Sequence, residues 1–432
     1  MRTLAVAIGA CLLACSGDYP APNPERPTPP AANDPAYTSR GLESWYLLPD
    51  GAQPGENQLT FIITAPSGTD YVDAYIPGLP PQRMGEQSDG FALDISIADV
   101  PAGTHDILFS ANGRDIAFAK ATIHRSAAYY VLVSTDYDFS DPGNPSLGYM
   151  DRLHTDHPSM VMTHFWAPYT YTDSQVTDTR RDQLDTWLKK QRDTYGDEIG
   201  LHIHPYCHFV EQAGETCITD QSTVYTSDAT GYTIKLSAYT RQSMGALLQH
   251  AAVLFEQRGL GAPKTFRAGG WTANIDTLLA LADNGFVADT SALNWIHIKE
   301  EWEGKELYTW NMSNWGPIND TSQPYYPSMT NPLVSEPGAN MSMLEVPDNG
   351  VMIDYVSVAQ MNAIFDANWD GTPLSAPRTL MMGFHPAPSF SESEYRRVDD
   401  FLKYADMHLA NRDLGPVVYI TLVDVAQAFP PQ

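Results

Sequence analysis

Basic residues are scarce in this sequence. The 25 lysines and arginines stand against 52 aspartates and glutamates, and the formal net charge is -27 at pH 7. A field of this sign repels phosphate backbones and anionic lipid surfaces. The composition therefore argues against nucleic acid as a partner and favours a neutral or cationic ligand.

Long apolar runs are almost absent, and no internal repeat is visible. Beyond the N-terminus, no stretch is apolar enough to cross a bilayer. Hydrophobic residues still make up 43% of the chain, which excludes global disorder and allows at least one sizeable core. A length of 432 residues suits two domains.

The N-terminus holds the one marked apolar stretch. Residues 4–13 are apolar but too few to span a bilayer as a helix, and a Leu-Leu-Ala-Cys sequence then ends at Cys15. This pattern resembles the lipobox of bacterial lipoproteins. The resemblance implies a signal peptide over 1–14 and a lipid anchor on Cys15 that holds the protein to the membrane. It also implies a location in the bacterial cell envelope, on the periplasmic or extracellular face. An ordinary secretion signal with an incidental cysteine is the alternative.

Composition changes twice after this signal. Residues 15–40 are rich in proline and alanine, which predicts an extended tether. Residues 41–126 hold short alternating strands and an Asn-Gly turn, typical of a small all-β sandwich of immunoglobulin-like type. In residues 127–432 strands alternate with helices, which predicts an α/β fold with a closed or nearly closed, deformed (β/α) barrel.

Apolar periodicity places the elements of the predicted barrel. The predicted strands cover residues 129–134, 161–165, 198–204, 265–268, 286–289, 380–384 and 417–422. The predicted helices cover residues 177–195, 243–258, 275–284 and 392–410. In such barrels the chemistry gathers at the carboxyl ends of the strands.

Three histidines close the strand that begins at residue 198. His202 and His204 face the same way on a strand, whereas His204 and His208 have the i, i+4 spacing of a chelating turn. Neutral imidazoles paired with a carboxylate suit zinc. We therefore predict that one divalent metal, zinc, binds here.

Two cysteines lie beside these histidines. Cys207 and Cys217 are close in sequence, and an exported protein folds in an oxidising compartment, so we predict a disulfide between them. The alternative makes Cys207 a metal ligand.

Other ionisable residues follow the remaining strands. Asp136 and Asp138 come after the first strand, where one can bind a metal and the other can handle protons, although a solvated turn is the plainer interpretation. Arg267 precedes two glycines and can orient a carboxylate. Asp289 and His385 each end or follow a buried strand, and a histidine there can protonate a leaving group.

In this order, the motifs resemble those of the NodB-type polysaccharide deacetylase family, over about residues 128–425. That family has an Asp-Asp strand end, a His-(Ser/Thr)-x-x-His segment, an Arg strand, an Asp strand and a Leu-x-His strand. A strand like that of residues 344–346 is also found in these barrels. The resemblance implies a metal-dependent hydrolase of the deacetylase type.

The resemblance also implies a role for each matching residue. Asp136 matches the catalytic base, and Arg267 would hold that base in place. Asp138 matches the metal-binding aspartate. His385 would act as the general acid, with Asp289 tuning its pKa.

Two features depart from the family pattern. Asp138 sits two positions after Asp136 instead of one, a spacing that some subfamilies share. The register of the histidine motif points to His202 as the first ligand, but spacing alone points to His204 and His208. We predict that two of these three histidines bind the metal, and the sequence leaves the choice open.

The predicted function is removal of N- or O-linked acetyl groups from a carbohydrate polymer at the cell envelope. Two alternatives remain: a hydrolase of the same barrel that cleaves a non-sugar C–N amide bond, and a catalytically silent carbohydrate-binding lipoprotein. Several tryptophans and tyrosines between residues 294 and 326 form either a substrate wall or a buried core.

Overall fold

The computed structural model describes residues 19–30, 37–298, 302–387 and 390–431. The chain divides into two compact units, Met1–Tyr46 with Glu56–Arg125 and Leu47–Gly55 with Ser126–Gln432. The predicted signal peptide, Cys15 and part of the predicted tether lie outside the described residues. In the part of the chain described here, no helix is long and apolar enough to span a membrane.

The first unit is built on two antiparallel sheets. Its strands are β1 (Ser39–Arg40), β2 (Trp45–Leu47), β3 (Gln58–Ile63), β4 (Val72–Tyr75), β5 (Gln82–Arg83), β6 (Gly85–Gln87), β7 (Gly90–Ser96), β8 (Gly103–Ala111) and β9 (Ala119–Ser126). One sheet has the order β1-β3-β7-β6 and the other β2-β9-β8-β4-β5. Alternate side chains of β3 (Leu59, Phe61 and Ile63) are buried in one core with residues of β4 and β8. The all-β sandwich predicted before the barrel is therefore present.

The second unit is built on an eight-stranded sheet in which every recorded pairing is parallel. Its strands are β10 (Tyr129–Asp136), β11 (Met162–Trp166), β12 (Glu198–Ile203), β13 (Thr265–Ala268), β14 (Ala288–Asp289), β15 (Leu344–Glu345), β16 (Arg378–Phe384) and β17 (Val417–Tyr419). The order is β15-β14-β13-β12-β11-β10-β16, and β17 pairs with the first half of β10. Every residue of β10 is buried, as expected for a central strand covered on both faces.

Helices connect these strands, and several begin at a Ser, Thr or Asn cap. They are α1 (Asn144–Asp156), α2 (Asp178–Lys190), α3 (Cys207–Gln212), α4 (Arg241–Gln257), α5 (Ile275–Asp283), α6 (Glu306–Trp315), α7 (Val358–Asn368), α8 (Glu392–Asp406) and α9 (Leu422–Ala428). The strand predicted over 417–422 ends earlier, at Tyr419, because the Thr421 side chain caps α9.

The ring of strands closes through an irregular stretch, which we call the closing segment (residues 346–353). At its start, the backbone N–H of Val346 donates to the carbonyl of Asp289. At its end, Met352 pairs in parallel with Gly383 of β16. The segment therefore joins the two edges of the curled sheet. The predicted α/β fold with a deformed barrel is confirmed.

The predicted disulfide between Cys207 and Cys217 is also present, with a sequence separation of 10 residues. Replacing both cysteines by serine is expected to lower the free energy of unfolding by about 3 kcal/mol, because the bond restricts the unfolded chain. Equilibrium urea unfolding measures the change. Reductant should weaken the native protein and leave the double serine variant unaffected. Equal stability of the two proteins would contradict the prediction.

Candidate metal centre

The predicted site residues lie at the carboxyl edge of the parallel sheet. Asp136 ends β10, and His202 in β12 pairs directly with Arg267 in β13. On the other side of β10, Thr135 pairs with Phe384, so His385 leaves β16 beside the end of β10. Sequence-distant residues are brought together because neighbouring parallel strands end at the same edge.

Three side chains converge at this edge in the geometry of a metal site. The Oδ1 atom of Asp138 lies 3.2 Å from Nε2 of His202 and 3.4 Å from Nε2 of His204. These three potential ligand atoms all lie within 4.8 Å of one another. The Tyr232 hydroxyl donates to the other carboxylate oxygen of Asp138 at 2.9 Å and fixes its orientation.

The hydrogen bonds of the two imidazoles show that a cation fits. Nδ1 of His202 lies 2.9 Å from the carbonyl oxygen of Arg267, and Nδ1 of His204 lies 2.8 Å from that of Tyr232. A carbonyl oxygen only accepts, so each Nδ1 carries the hydrogen, and Nε2 is the atom that each ring would offer to a metal. Both Nε2 atoms face one oxygen of Asp138, and two imidazole nitrogens with one carboxylate are a donor set for a divalent cation. The residues present therefore fit a divalent metal.

The charge of Asp138 suits the same role. Burial raises the pKa of its carboxyl group, but the neighbouring histidines, His204 first, outweigh burial and hold that pKa well below its ordinary value. The carboxylate is therefore ionised and able to bind a cation across the neutral pH range.

His208 is not part of this group. Its Nδ1 lies 2.8 Å from the Thr172 hydroxyl, and its ring stacks on Tyr206. The i, i+4 spacing makes two side chains neighbours when both residues lie on one helix. His204 precedes Pro205 and α3 begins at Cys207, so the spacing that favoured His208 in the sequence has no helical basis here.

Gly269 permits the close packing behind His204. A Cβ atom at this position would lie 2.7 Å from both Nδ1 of His204 and the carbonyl oxygen of Ile203. The first of the two glycines after Arg267 therefore makes room for a ligand side chain.

Asp136 and Arg267 form a fully buried ion pair beside the three ligands. Nη1 of Arg267 donates to Oδ1 of Asp136 at 2.8 Å, and its Nη2 lies 3.2 Å from Oδ2 of Asp348. The guanidinium also lies over the ring of Phe165, 4.7 Å from its centroid. One arginine thus serves two buried carboxylates, and it aligns Asp136 at the edge of the site.

His385 lies next to Asp138 and is paired with Asp354. Its Nδ1 lies 2.9 Å from Oδ2 of Asp354, and its Nε2 lies 3.9 Å from Oδ2 of Asp138. Burial lowers the pKa of His385, but the carboxylates of Asp138 and Asp354 outweigh burial and raise it to about 10. The imidazole is therefore protonated at neutral pH.

The predicted partner of His385 was Asp289, and the structure places that residue elsewhere. Asp289 accepts from the backbone N–H and the hydroxyl of Ser291, at 3.1 and 2.8 Å. It is turned into the interior beside Glu345, and burial raises its pKa to about 6. Asp354 therefore takes the position next to His385 that the sequence assigned to Asp289.

A second group of two histidines and one aspartate lies deeper in the fold. Nε2 atoms of His154 and His164 lie 2.8 and 3.0 Å from Oδ2 of Asp197. The hydroxyls of Thr135 and Tyr137 are within hydrogen-bond distance of Nδ1 of His164. When one of these hydroxyls donates to Nδ1, Nε2 carries the hydrogen and donates to Asp197. Ordinary hydrogen bonds satisfy this group without a metal.

Sequence reasoning missed Asp348, Asp354 and Tyr232. Asp354 and Tyr232 do not follow a predicted strand, so no periodic pattern marked them. Asp354 comes directly after the closing segment and Asp348 lies within it. Asp348 lies two residues after the Glu-Val pair of the predicted 344–346 strand, which is the only signal that pointed toward it.

Neither a protein-family model nor a curated protein sequence matches the chain. Among solved structures, it is similar to a Mycobacterium smegmatis protein assigned as a polysaccharide deacetylase, with 13% identity over 71% of this chain and 93% of that one and a TM-score of 0.41. A family 4 carbohydrate esterase from Streptomyces lividans shares 9% identity over 71% of this chain and 98% of its own, with a TM-score of 0.34. An allantoinase shares 14% identity over 70% and 89%, with a TM-score of 0.38. These identities and TM-scores are too low to carry a function over to this chain, so its proposed function rests on the side-chain geometry.

Proposed function

We propose that this protein is a metal-dependent hydrolase that removes acetyl groups, N- or O-linked, from a carbohydrate. One observation carries the proposal. The Nε2 atoms of His202 and His204 converge with Asp138, and the protonated His385 and the buried Asp136 stand at the same edge of the sheet. A cation site flanked by a base and an acid is the arrangement that hydrolysis of an ester or amide requires.

Asp138, His202 and His204 would hold the metal. The donor set of two imidazoles and one carboxylate favours zinc. When bound there, the metal supplies Lewis acidity toward the acetyl carbonyl oxygen. Tyr232 orients Asp138 through its hydroxyl, and the two backbone carbonyls behind the imidazoles keep both rings aimed at one point.

Asp136 is the proposed base. Its carboxylate is fully buried, and the ion pair with Arg267 both orients it and stabilises its charge. In the reaction Asp136 takes a proton from the attacking water while the new C–O bond forms. Arg267 acts only by holding Asp136.

His385 is the proposed acid. Its proton is present at neutral pH because neighbouring carboxylates raise its pKa, and Nδ1 is engaged by Asp354, which leaves Nε2 to face the site. Nε2 donates its proton to the leaving oxygen or nitrogen as the bond to the acetyl carbon breaks. The products are acetate and a free hydroxyl or amine.

The order of the sequence motifs and the surroundings of His385 support a carbohydrate substrate. The rings of Trp271 and Tyr355 lie 6.2 and 6.3 Å from the imidazole, centroid to centroid. Aromatic rings are suited to contact with the apolar faces of sugars. The net charge of -27 also favours a neutral polymer. The lipid anchor on Cys15 and the location in the cell envelope remain predictions from the sequence.

Acetate release tests the proposal. The full chain, loaded with zinc, is incubated with acetylated xylan, chitin oligomers and peptidoglycan, and in parallel with non-sugar amides. We expect acetate from at least one of the carbohydrates, and none of it from an Asp138→Asn control. Cleavage of an amide alone would favour the amide hydrolase, and a metal-free chain that only binds sugar would overturn the enzyme proposal.

Replacing Asp354 by asparagine is expected to lower the pKa of His385, because one of the three carboxylates that raise it, Asp138, Asp354 and Asp136, is removed. The acid would then lose its proton at a lower pH, and the alkaline limb of kcat/KM would move down by about one pH unit. The measurement is kcat/KM against pH. Asp370→Asn, at an exposed aspartate away from the site, is the control and should leave the profile unchanged. An unchanged limb in the Asp354 variant would contradict the pairing.

A further inference from the structure

A side cleft opens near the candidate site, with a volume of about 420 Å³. We define the side cleft as residues 222–225, Trp302 and residues 304–306, which line it. The reaction proposed above uses none of these residues. The cleft therefore needs an explanation of its own.

Two chains of contacts connect the side cleft to the catalytic groups. On one side, the ring of Trp302 lies 6.3 Å from that of Tyr355, which in turn lies 6.3 Å from the imidazole of His385. On the other side, Tyr232 donates to Asp138, and the next residue, Thr233, accepts from the backbone N–H of Thr223. Residues that line the cleft are therefore linked through contacts to His385 on one side and to Asp138 on the other.

The fold holds apolar side chains outward at this cleft. Val224 is 50% exposed and Tyr225 is 63% exposed. The hydroxyl oxygen of Ser222 accepts from the backbone N–H groups of both, at 3.1 and 2.9 Å, and Ser222 itself contacts the Thr233 hydroxyl. These hydrogen bonds hold the backbone of the turn in one conformation, and in that conformation the ring of Tyr225 is exposed to solvent.

Trp302 differs in burial from Trp295 and Trp315, two other tryptophans of the 294–326 region. Trp295 and Trp315 are 2% and 0% exposed. They belong to the core, which is one of the two alternatives that the sequence left open for these aromatic residues. Trp302 is only partly buried and lines the cleft. The Lys305 ammonium lies 4.3 Å from its ring centroid, which steadies the indole and places hydrogen-bond donors beside it.

We propose that the side cleft is a sugar-binding subsite that takes a residue of the carbohydrate chain adjacent to the acetylated one. This inference rests on the proposed function and names the substrate class as an oligosaccharide or polymer rather than a monosaccharide. The apolar face of the sugar ring packs on Tyr225 and Trp302, and its hydroxyls meet Lys305 and Glu306 at the rim.

The subsite predicts a dependence on chain length. Trp302→Ala and Tyr225→Ala are each expected to raise KM about tenfold for acetylated xylo- or chito-pentamers. Their kcat should be unchanged, and so should kcat/KM for an acetylated monosaccharide, because neither side chain touches the reacting atoms. Trp302→Phe should restore most of the affinity. Tyr19→Ala, at a tyrosine that is 46% exposed outside the cleft, is the matched control.

Binding measured by calorimetry separates the subsite from the reaction. The native full chain is expected to bind xylopentaose or N-acetyl-chitopentaose, and both alanine variants to bind the same pentamer about tenfold more weakly. Equal affinities in native and variant proteins, or no binding of either pentamer to the native protein, would overturn the subsite.

If pentamers bind in this way but no acetate is released from any carbohydrate, the proposed reaction fails and the subsite stands. If acetate is released but KM shows no length dependence on these residues, the subsite fails and the reaction stands.

Discussion

His202→Ala and His204→Ala are each expected to lose bound zinc and to reduce acetate release by about a thousandfold or more. A bound metal would contribute several kcal/mol of transition-state stabilisation, and each variant removes one of the three residues proposed to hold it. His208→Ala should keep both the metal and the activity, because His208 contacts Thr172 rather than the ligand group. The three variants therefore form an internally controlled series.

Metal content decides this prediction independently of any substrate. Zinc is measured in the purified full-length variants, and circular dichroism checks that each has folded. Loss of zinc from the His208 variant, with retention in either of the others, would contradict the ligand assignment. Partial rescue of His202→Ala by added imidazole would support it, since the cavity left behind faces the carbonyl of Arg267.

Arg267→Met is expected to lower the free energy of unfolding by about 3–5 kcal/mol and to remove most of the activity. The substitution would leave Asp136 and Asp348 buried without the cation that neutralises them. Asp136 would also lose the contact that aligns it as the base. Urea unfolding measures the first effect and kcat measures the second.

Asp348→Asn is the matched control for this prediction, because it removes a negative charge from the same network instead of the positive one. Burial raises the pKa of Asp348 to about 6, even with Arg267 beside it. A carboxyl group whose pKa is raised by folding lowers the stability of the folded state as the pH rises from its unfolded pKa, 3.8, to its folded pKa, about 6. The variant lacks this group, so it should gain stability relative to the native protein over that pH range. A loss of stability in Asp348→Asn as large as that in Arg267→Met would show that both effects are packing defects and not electrostatic.

Regular strands explain why part of the site could be predicted from the sequence. Asp136, Arg267 and His385 each end or follow a strong apolar strand, and the parallel arrangement brings such ends together. The order of these elements carried the resemblance to a known family. The convergence of Asp138, His202 and His204 follows from the same geometry.

Irregular backbone explains what could not be predicted. Asp354 follows the closing segment and Tyr232 lies in a loop, and neither position has a periodic pattern to mark it. The choice among the three histidines depended on where α3 begins, and the ends of elements are the least predictable feature of a sequence. Asp289 looked like the partner of His385 only because it also ends a strand.

Some helices were missed for a different reason. α7 carries a capping box in which Ser357 and Gln360 bond to each other's backbone N–H groups, a signal that is visible in the sequence. Its apolar periodicity is weak because the helix is buried against α8 and β16 only in part. The start of α9 falls within the strand that the sequence predicts over residues 417–422, because Ile420 and Leu422 continue the apolar run of β17.

The closing segment has a consequence for how this protein could change its chemistry. It carries Asp348, the second partner of Arg267, and it leads directly into Asp354, the partner of His385. Of the proposed metal ligands, His202 lies in a strand and His204 and Asp138 follow strand ends within two residues, whereas the companions of the base and the acid lie in or directly after the irregular closing segment. Substitutions in this one short stretch could therefore retune proton transfer toward a more basic or less basic leaving group, while the cation-binding residues stay where they are.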